Sequence, residues 1–319
     1  MSDFRPVPAR PLTRRRLLAA SALVPAAGLV GAPRVSRAQD GAARPLAAPP
    51  LARGFRLGDF EVATLLAGTR TAENPQETFG MNVSPETFAE VSEANFIPAD
   101  RNQFFFTPTV VRTGEETILF DAGLDAGGIA AALGAVGIAP EDVDVVVLTH
   151  MHGDHIGGLA DEAGAPTFAN ARYVTGQVEF DAWAKRDDEG FEAKVRPLAE
   201  KTSFLGDGDE VAPGITAMAA FGHTPGHMAY HLESGDRRLV LIADTANHYV
   251  WSLARPDWEV RFDMDKAAAA ETRKRVLGML AAERVPFVGY HMPFPAVGYV
   301  AAREGGRFEY VPTSYQMML

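Results

Sequence analysis

The run His150-Met151-His152-Gly153-Asp154-His155 places three imidazoles and a carboxylate directly after an apolar stretch, Val143 to Leu148. Short continuous apolar stretches read as buried strands, so these groups stand at the end of a rigid element and open onto solvent. Imidazoles and carboxylates need partners when they are buried. A shared cation satisfies all four side chains of such a loop at once. Imidazole suits zinc, copper, iron and nickel, and a carboxylate can bridge two ions. Three further groups hold equivalent places. His223, in Gly222-His223-Thr224-Pro225-Gly226-His227, follows the apolar stretch Ile215 to Phe221; Asp244 ends Arg238 to Ala243; His291 ends Pro286 to Tyr290. Strands lying side by side would bring all these ends to one rim.

The elements that must position them are of mixed α/β type. Phe55 to Leu66 suggests an opening strand, and Thr69 to Asn102 reads as irregular and polar, with a short helix at Pro85 to Ser92. That segment exceeds an ordinary connection, which marks it as a pocket cover or an oligomer contact. Thr109 to Arg112 and Thr117 to Phe120 read as a hairpin, Ile129 to Val136 as a helix, Arg172 to Thr175 as a strand and Gln177 to Lys185 as a helix. Lys185 to Glu192 reads as a charged loop. A last helix from Lys266 to Glu283 has Asp263 and Asp265 as capping carboxylates, Val276, Leu277, Leu280 and Ala281 inward, and Arg273, Lys274 and Arg275 grouped at its middle.

The ordered set His150, His152, Asp154, His155, His223, Asp244 and His291 resembles the complete ligand pattern of the metallo-β-lactamase-fold hydrolases. The segments Leu57 to Glu61, Pro213 to His227, His291 to Pro295 and Arg307 to Pro312 resemble, within that group, the methyl parathion hydrolase type of secreted dinuclear hydrolase. The resemblance spans residues 55 to 319 and implies a four-layer αββα sandwich. It implies one ion on His150, His152 and His223, a second on Asp154, His155 and His291, and Asp244 bridging both. Zinc is the first expectation for the two divalent ions, with manganese, cobalt or iron as alternatives. The implied nucleophile is a water activated between the ions, with Asp154 as its general base. His227 is expected to touch a ligand residue rather than an ion, and Asp121 to act behind the ligands or in a turn.

Residues 1–38 carry a basic lead (Arg5, Arg10, Arg14, Arg15, Arg16), an apolar stretch too short to span a bilayer, and Ser36-Arg37-Ala38 as a small-x-small cleavage pattern. Thr13 to Leu18 resembles a twin-arginine export signal, so a periplasmic location is expected, with 39–54 as a linker and 55–319 as the single folded domain. Cysteine is absent, which removes disulfides and thiolate chemistry. Residues 1–38 hold seven of the 30 basic and one of the 41 acidic side chains, so the remainder carries 23 against 40, a formal charge of −17. Such a balance argues against nucleic acid, whose phosphates demand basic patches, and against membrane-surface binding.

Trp183 and Phe191 lie in the segment that the resemblance assigns to a pocket wall. His248 follows Asp244 closely, and Phe106 belongs to Phe104-Phe105-Phe106, whose side chains must alternate if the run is extended. Trp251 and Trp258 are further wall candidates. Aromatic walls with few polar groups suit small hydrophobic esters, lactones or aryl phosphotriesters. The resemblance implies cleavage of ester-type bonds, organophosphate triesters or aryl esters. Because the loop after Asp121 is short and lacks the aromatic residue of the parathion-hydrolysing relatives, a lactonase, including the acyl-homoserine lactone type, with only incidental phosphotriesterase activity is the alternative. A mononuclear iron dioxygenase of the same fold is a further alternative, and relatives imply a homodimer.

Overall fold

The computed structural model describes residues 50–314. The expected export signal, and the linker up to residue 49, lie outside the described residues. Strand β1 (Ala52–Leu57) turns at Gly58 into β2 (Phe60–Leu65), so the expected opening strand is a hairpin. Strands β3 (Gly68–Glu73) and β4 (Arg101–Phe106) pair as a separate ribbon, with helix α1 (Pro85–Ala94) between them. The segment expected to be irregular is therefore bracketed by strands. Thr69, Arg70 and Thr71 show no apolar alternation, and their partners lie far downstream, so no local signal marks them.

Strands β5 (Thr109–Arg112) and β6 (Thr117–Phe120) form the expected hairpin, and β7 (Val145–Leu148), β8 (Arg172–Gly176) and β9 (Thr202–Leu205) extend it in parallel. The first sheet has the order β1-β2-β5-β6-β7-β8-β9. A second sheet runs in chain order through β10 (Glu210–Ala212), β11 (Ile215–Ala219), β12 (Met228–Ser234), β13 (Arg237–Ala243), β14 (Phe287–Gly289), β15 (Val297–Arg303) and β16 (Arg307–Pro312). Within it β13 and β14 pair in parallel, and the chain between them contains helix α6 (Lys266–Glu283).

The side chains of β7 explain the layering. Val145 and Val147 pack between the sheets with Phe120, Val174, Tyr230 and Leu241. Val146 and Leu148 face the opposite way, into a second cluster with Ile129 and Leu133 of α2 (Ala126–Gly134), Trp183 of α4 (Gln177–Trp183) and Phe191 of α5 (Glu189–Lys194). A strand covered on both faces has no solvent side, hence its unbroken apolar run. Val276, Leu277 and Leu280 of α6 join the second sheet's core. The result is the expected four-layer αββα sandwich. Part of the expected charged loop is α5: Asp188 accepts the Phe191 N–H at 2.9 Å as an N-cap, and Phe191 anchors the turn inside. A third cluster joins Phe79, Phe88, Phe104 and Phe106 to Trp251, Trp258 and Tyr290, tying the ribbon segment to the chain after β13.

Candidate metal centre

All seven expected ligand residues converge at the downstream ends of strands. His150 and His152 lie just past β7, and the single turn α3 (Gly153–Ile156) lifts Asp154 and His155 beside them. Close packing beneath this turn depends on glycine: a Cβ on Gly157 or Gly158 would lie 2.0 Å from the Leu124 carbonyl oxygen or 2.1 Å from that of Ala122. His223 follows β11, Asp244 follows β13 and His291 follows β14. Four ligands thus come from the first sheet and three from the second.

Their donor atoms fall into two overlapping sets. His152 Nδ1 lies 3.1 Å from His150 Nε2 and 3.0 Å from His223 Nε2. Zinc–nitrogen bonds of about 2.0–2.1 Å in tetrahedral geometry separate two nitrogens by roughly 3.3 Å, so this triangle has the size an ion requires. On the other side, His291 Nε2 is 3.3 Å from Asp154 Oδ2, and His155 Nε2 is 3.7 Å from the same oxygen. Asp244 joins the sets, with Oδ1 3.3 Å from His155 Nε2 and Oδ2 3.3 Å from His223 Nε2 and 3.2 Å from His291 Nε2. His155 Nε2 and Asp244 Oδ1 are buried without a hydrogen-bond partner among the described residues. Such orphaned atoms are costly, and a cation between them would satisfy both. The donor set fits two divalent ions.

The far nitrogens fix which lone pairs face inward. Asp121 Oδ2 accepts His155 Nδ1–H at 2.8 Å and the Thr149 hydroxyl at 2.9 Å, while Oδ1 accepts the Thr149 N–H at 2.9 Å. Because that hydroxyl donates to Asp121, its oxygen is left to accept His150 Nδ1–H at 3.1 Å. One carboxylate therefore sets the tautomers of a ligand in each set. His223 Nδ1 donates to Asp263 Oδ1 at 2.9 Å and His291 Nδ1 to the Phe105 carbonyl at 2.8 Å, so each of these rings also turns its Nε2 lone pair inward. Asp263 is thus no helix cap, because Asp265 takes that place by accepting the Ala268 N–H at 3.0 Å. Behind Asp263 stands Arg273, itself buried and 2.7 Å away. His227 accepts the Asp244 N–H on Nε2 at 3.0 Å and donates Nδ1–H to the Ala220 carbonyl at 3.1 Å, which leaves no nitrogen for an ion.

Electrostatics divides the cluster. Burial and the neighbouring imidazoles push His152 down to about 3 and His150 well below its ordinary value. Burial also opposes charge on His223, but the Asp244 and Asp263 carboxylates more than offset it and raise the group to about 9. Asp154 loses to burial less than it gains from His155 and His291, and lies at about 2. Its side chain is 22 % exposed while those of Asp244 and His291 are 5 % exposed, so Asp154 is the ligand carboxylate that reaches solvent.

Around this centre, Trp183 stands edge-on to His152 with centroids 5.8 Å apart, and Phe104 and Phe106 stand edge-on to His291 at 5.8 and 5.6 Å. Phe106 and Trp183 are thus in contact with ligand rings. His248 stacks on Trp251 at 4.1 Å, and its Nδ1 accepts the N–H groups of Val250 and Trp251, which caps a π-helical turn. Phe191 is not a pocket wall: it is fully buried under Phe180, because a helix of one and a half turns at the surface needs an apolar anchor. Trp251 and Trp258 are likewise core, stacked on Phe88. Sequence reasoning missed Glu179 and Tyr290. Tyr290 stacks on His155 at 3.9 Å and donates to the Asp154 carbonyl at 2.5 Å; its place beside His291 was the only available signal.

Trp183→Ala is expected to change the ranking of substrates and KM while ion content stays at the wild-type value, since the indole touches a ligand ring but donates nothing to an ion. Unchanged KM and ranking, measured across an ester series, would make Trp183 a core residue alone.

The family model described as the metallo-beta-lactamase superfamily matches residues 107–287. An N-acyl homoserine lactonase from Bacillus cereus is 32% identical over 121 residues, 38% of this chain and 45% of that protein. The exodeoxyribonuclease WalJ of Streptococcus pneumoniae is 28% identical over 144 residues, 42% and 48% of the two chains. The chain thus spans about half the length of the curated relatives it matches. Among solved structures, AidC, a dizinc quorum-quenching lactonase in complex with a product, shares the fold with a TM-score of 0.77 at 24% identity, over 84% of this chain and 99% of that one. The hydrolase AbOPH superposes equally well, with a TM-score of 0.77 at 24% identity and the same coverage. With the matched region taking in more than half the chain and six of the seven converging ligands, this protein belongs to the metallo-beta-lactamase superfamily.

Proposed function

We propose that the protein is a dinuclear metal-dependent hydrolase of small hydrophobic esters, with lactones as the leading substrate class. One observation carries the reading: two complete ligand sets share a single carboxylate, Asp244, whose oxygens face both. Two divalent ions held there would acidify a shared water and polarise a scissile carbonyl or phosphoryl oxygen. The chain's own part is to orient and to move protons. Asp121, Asp263 and the Phe105 carbonyl fix the ligand tautomers, and Asp154, ionised and partly exposed, accepts a proton from the attacking water and returns it to the leaving alkoxide. Phe104, Phe106 and Trp183 supply apolar surface beside the ligands.

The acyl homoserine lactonase relatives support the lactone reading. The phosphotriester reading rests on the resemblance of the C-terminal segments to the methyl parathion hydrolase type. Against it stands the loop 122–125, which is tightly packed on the glycines after His155 and brings no aromatic ring to the site. The deciding experiment compares kcat/KM of the metal-replete protein on a medium-chain lactone, an aryl ester and an aryl phosphotriester. A lactone preference is expected. A phosphotriester preference of about 100-fold or more, roughly 2.7 kcal/mol of differential transition-state binding, would overturn it.

A further inference from the structure

Glu179 is fully buried in the first turn of α4 and has no cationic partner among the described residues. Burying an uncompensated carboxylate costs several kcal/mol, so its contacts must explain its presence. Its Oε1 accepts the Met151 N–H at 3.0 Å, between the ligands His150 and His152. Its Oε2 accepts both the Thr224 hydroxyl and the Gly226 N–H at 2.8 Å, just past the ligand His223. One side chain therefore ties the two loops that carry the three ligands of one set, and those loops come from different sheets. The approach is so close that a Cβ on Gly226 would lie 2.1 Å from the Glu179 nitrogen. By contrast, no hydrogen bond of Glu179 reaches the loops of Asp154, Asp244 or His291.

We propose that Glu179 is a positioning residue that sets the affinity of the His150–His152–His223 site selectively, by holding its two loops in register. The proposal rests on the dinuclear reading above. A carboxylate serves this purpose where an amide cannot: it accepts at every lone pair, whereas glutamine must turn an NH₂ donor towards one loop and leave a backbone N–H without an acceptor.

The test is zinc titration of the full chain against a chromophoric chelator, for wild type, Glu179→Gln and Thr224→Val, each also in a His291→Ala background that removes the second set. Glu179→Gln is expected to weaken the His150–His152–His223 ion about 10- to 100-fold while the other constant moves less than about threefold, with a smaller loss for Thr224→Val. The visible spectrum of the cobalt-substituted His291→Ala protein should shift with Glu179→Gln, reporting altered geometry at that site. Wild-type constants and spectrum in Glu179→Gln, or equal weakening of both ions alongside lowered urea stability, would overturn the proposal and leave Glu179 a general structural residue. Should Glu179→Gln fail to fold, Thr224→Val decides by the same readings. A wild-type chain that binds a single ion would defeat the dinuclear reading instead, while the His291→Ala series still tests Glu179.

Discussion

Asp244→Ala is expected to empty both ion positions and to lower kcat/KM by at least ~100-fold, because even outer partners of metal ligands cost about 10–100-fold when removed. The carboxylate lies within 3.3 Å of nitrogens on His155, His223 and His291. Its loss leaves His155 and His291 facing Asp154 as their one remaining inward carboxylate and His223 Nε2 facing none, so a divalent ion gains less in either position. Metal analysis after dialysis, together with the rate on the preferred ester, checks the result. A variant that keeps two tightly bound ions and the wild-type rate would remove Asp244 from the bridging position.

Arg273→Met should produce the largest loss of stability, about 3–5 kcal/mol, the usual cost of breaking a buried ion pair by deleting one partner. Arg273 Nη2 holds Asp263 at 2.7 Å, Nε donates to the Thr245 carbonyl at 2.9 Å and Nη1 to that of Pro256 at 2.9 Å. Without the guanidinium, the buried Asp263 carboxylate keeps the His223 Nδ1–H and loses its cationic partner at Oδ2, and both carbonyls lose this donor. Because Asp263 also fixes the His223 ring, the variant should bind its ions more weakly as well as unfold at lower urea. Combining it with Asp263→Asn should recover part of the stability but not the metal affinity. A urea midpoint unchanged in Arg273→Met would show that the pair contributes nothing net.

The convergence of the seven candidate ligands was legible in the sequence because each lies at or just past the end of an apolar run, and a strand end is a place where a buried element can hand a polar group to a cavity. The sandwich needed the resemblance as well: β7 is apolar throughout, and such a run does not say which of its residues face which layer. What periodicity could not reach was long-range pairing. The ribbon of β3 and β4 is polar on its exposed strand, and its partners are distant in sequence. Asp263 and Arg273 looked like a cap and one member of a basic group, because local rules see only the neighbouring turn; their true partners are His223 and each other. Trp183 and Phe191, on either side of the turn after α4, read alike as aromatic, yet Phe191 is an anchor and Trp183 touches a candidate ligand. Glu179 carries no signal of its own in a chain with so many acidic residues.

Four ligands belong to the first sheet and three to the second, from His150 to His291. No early folding intermediate that has built only one half can offer more than part of the centre. A centre completed only when both halves have docked is expected to capture its ions after the main barrier to folding. Interactions formed that late slow unfolding and leave the folding rate alone. In kinetic terms the ions would act as a lock rather than a nucleus: they would lengthen the life of the native state against proteases without helping the chain to reach it.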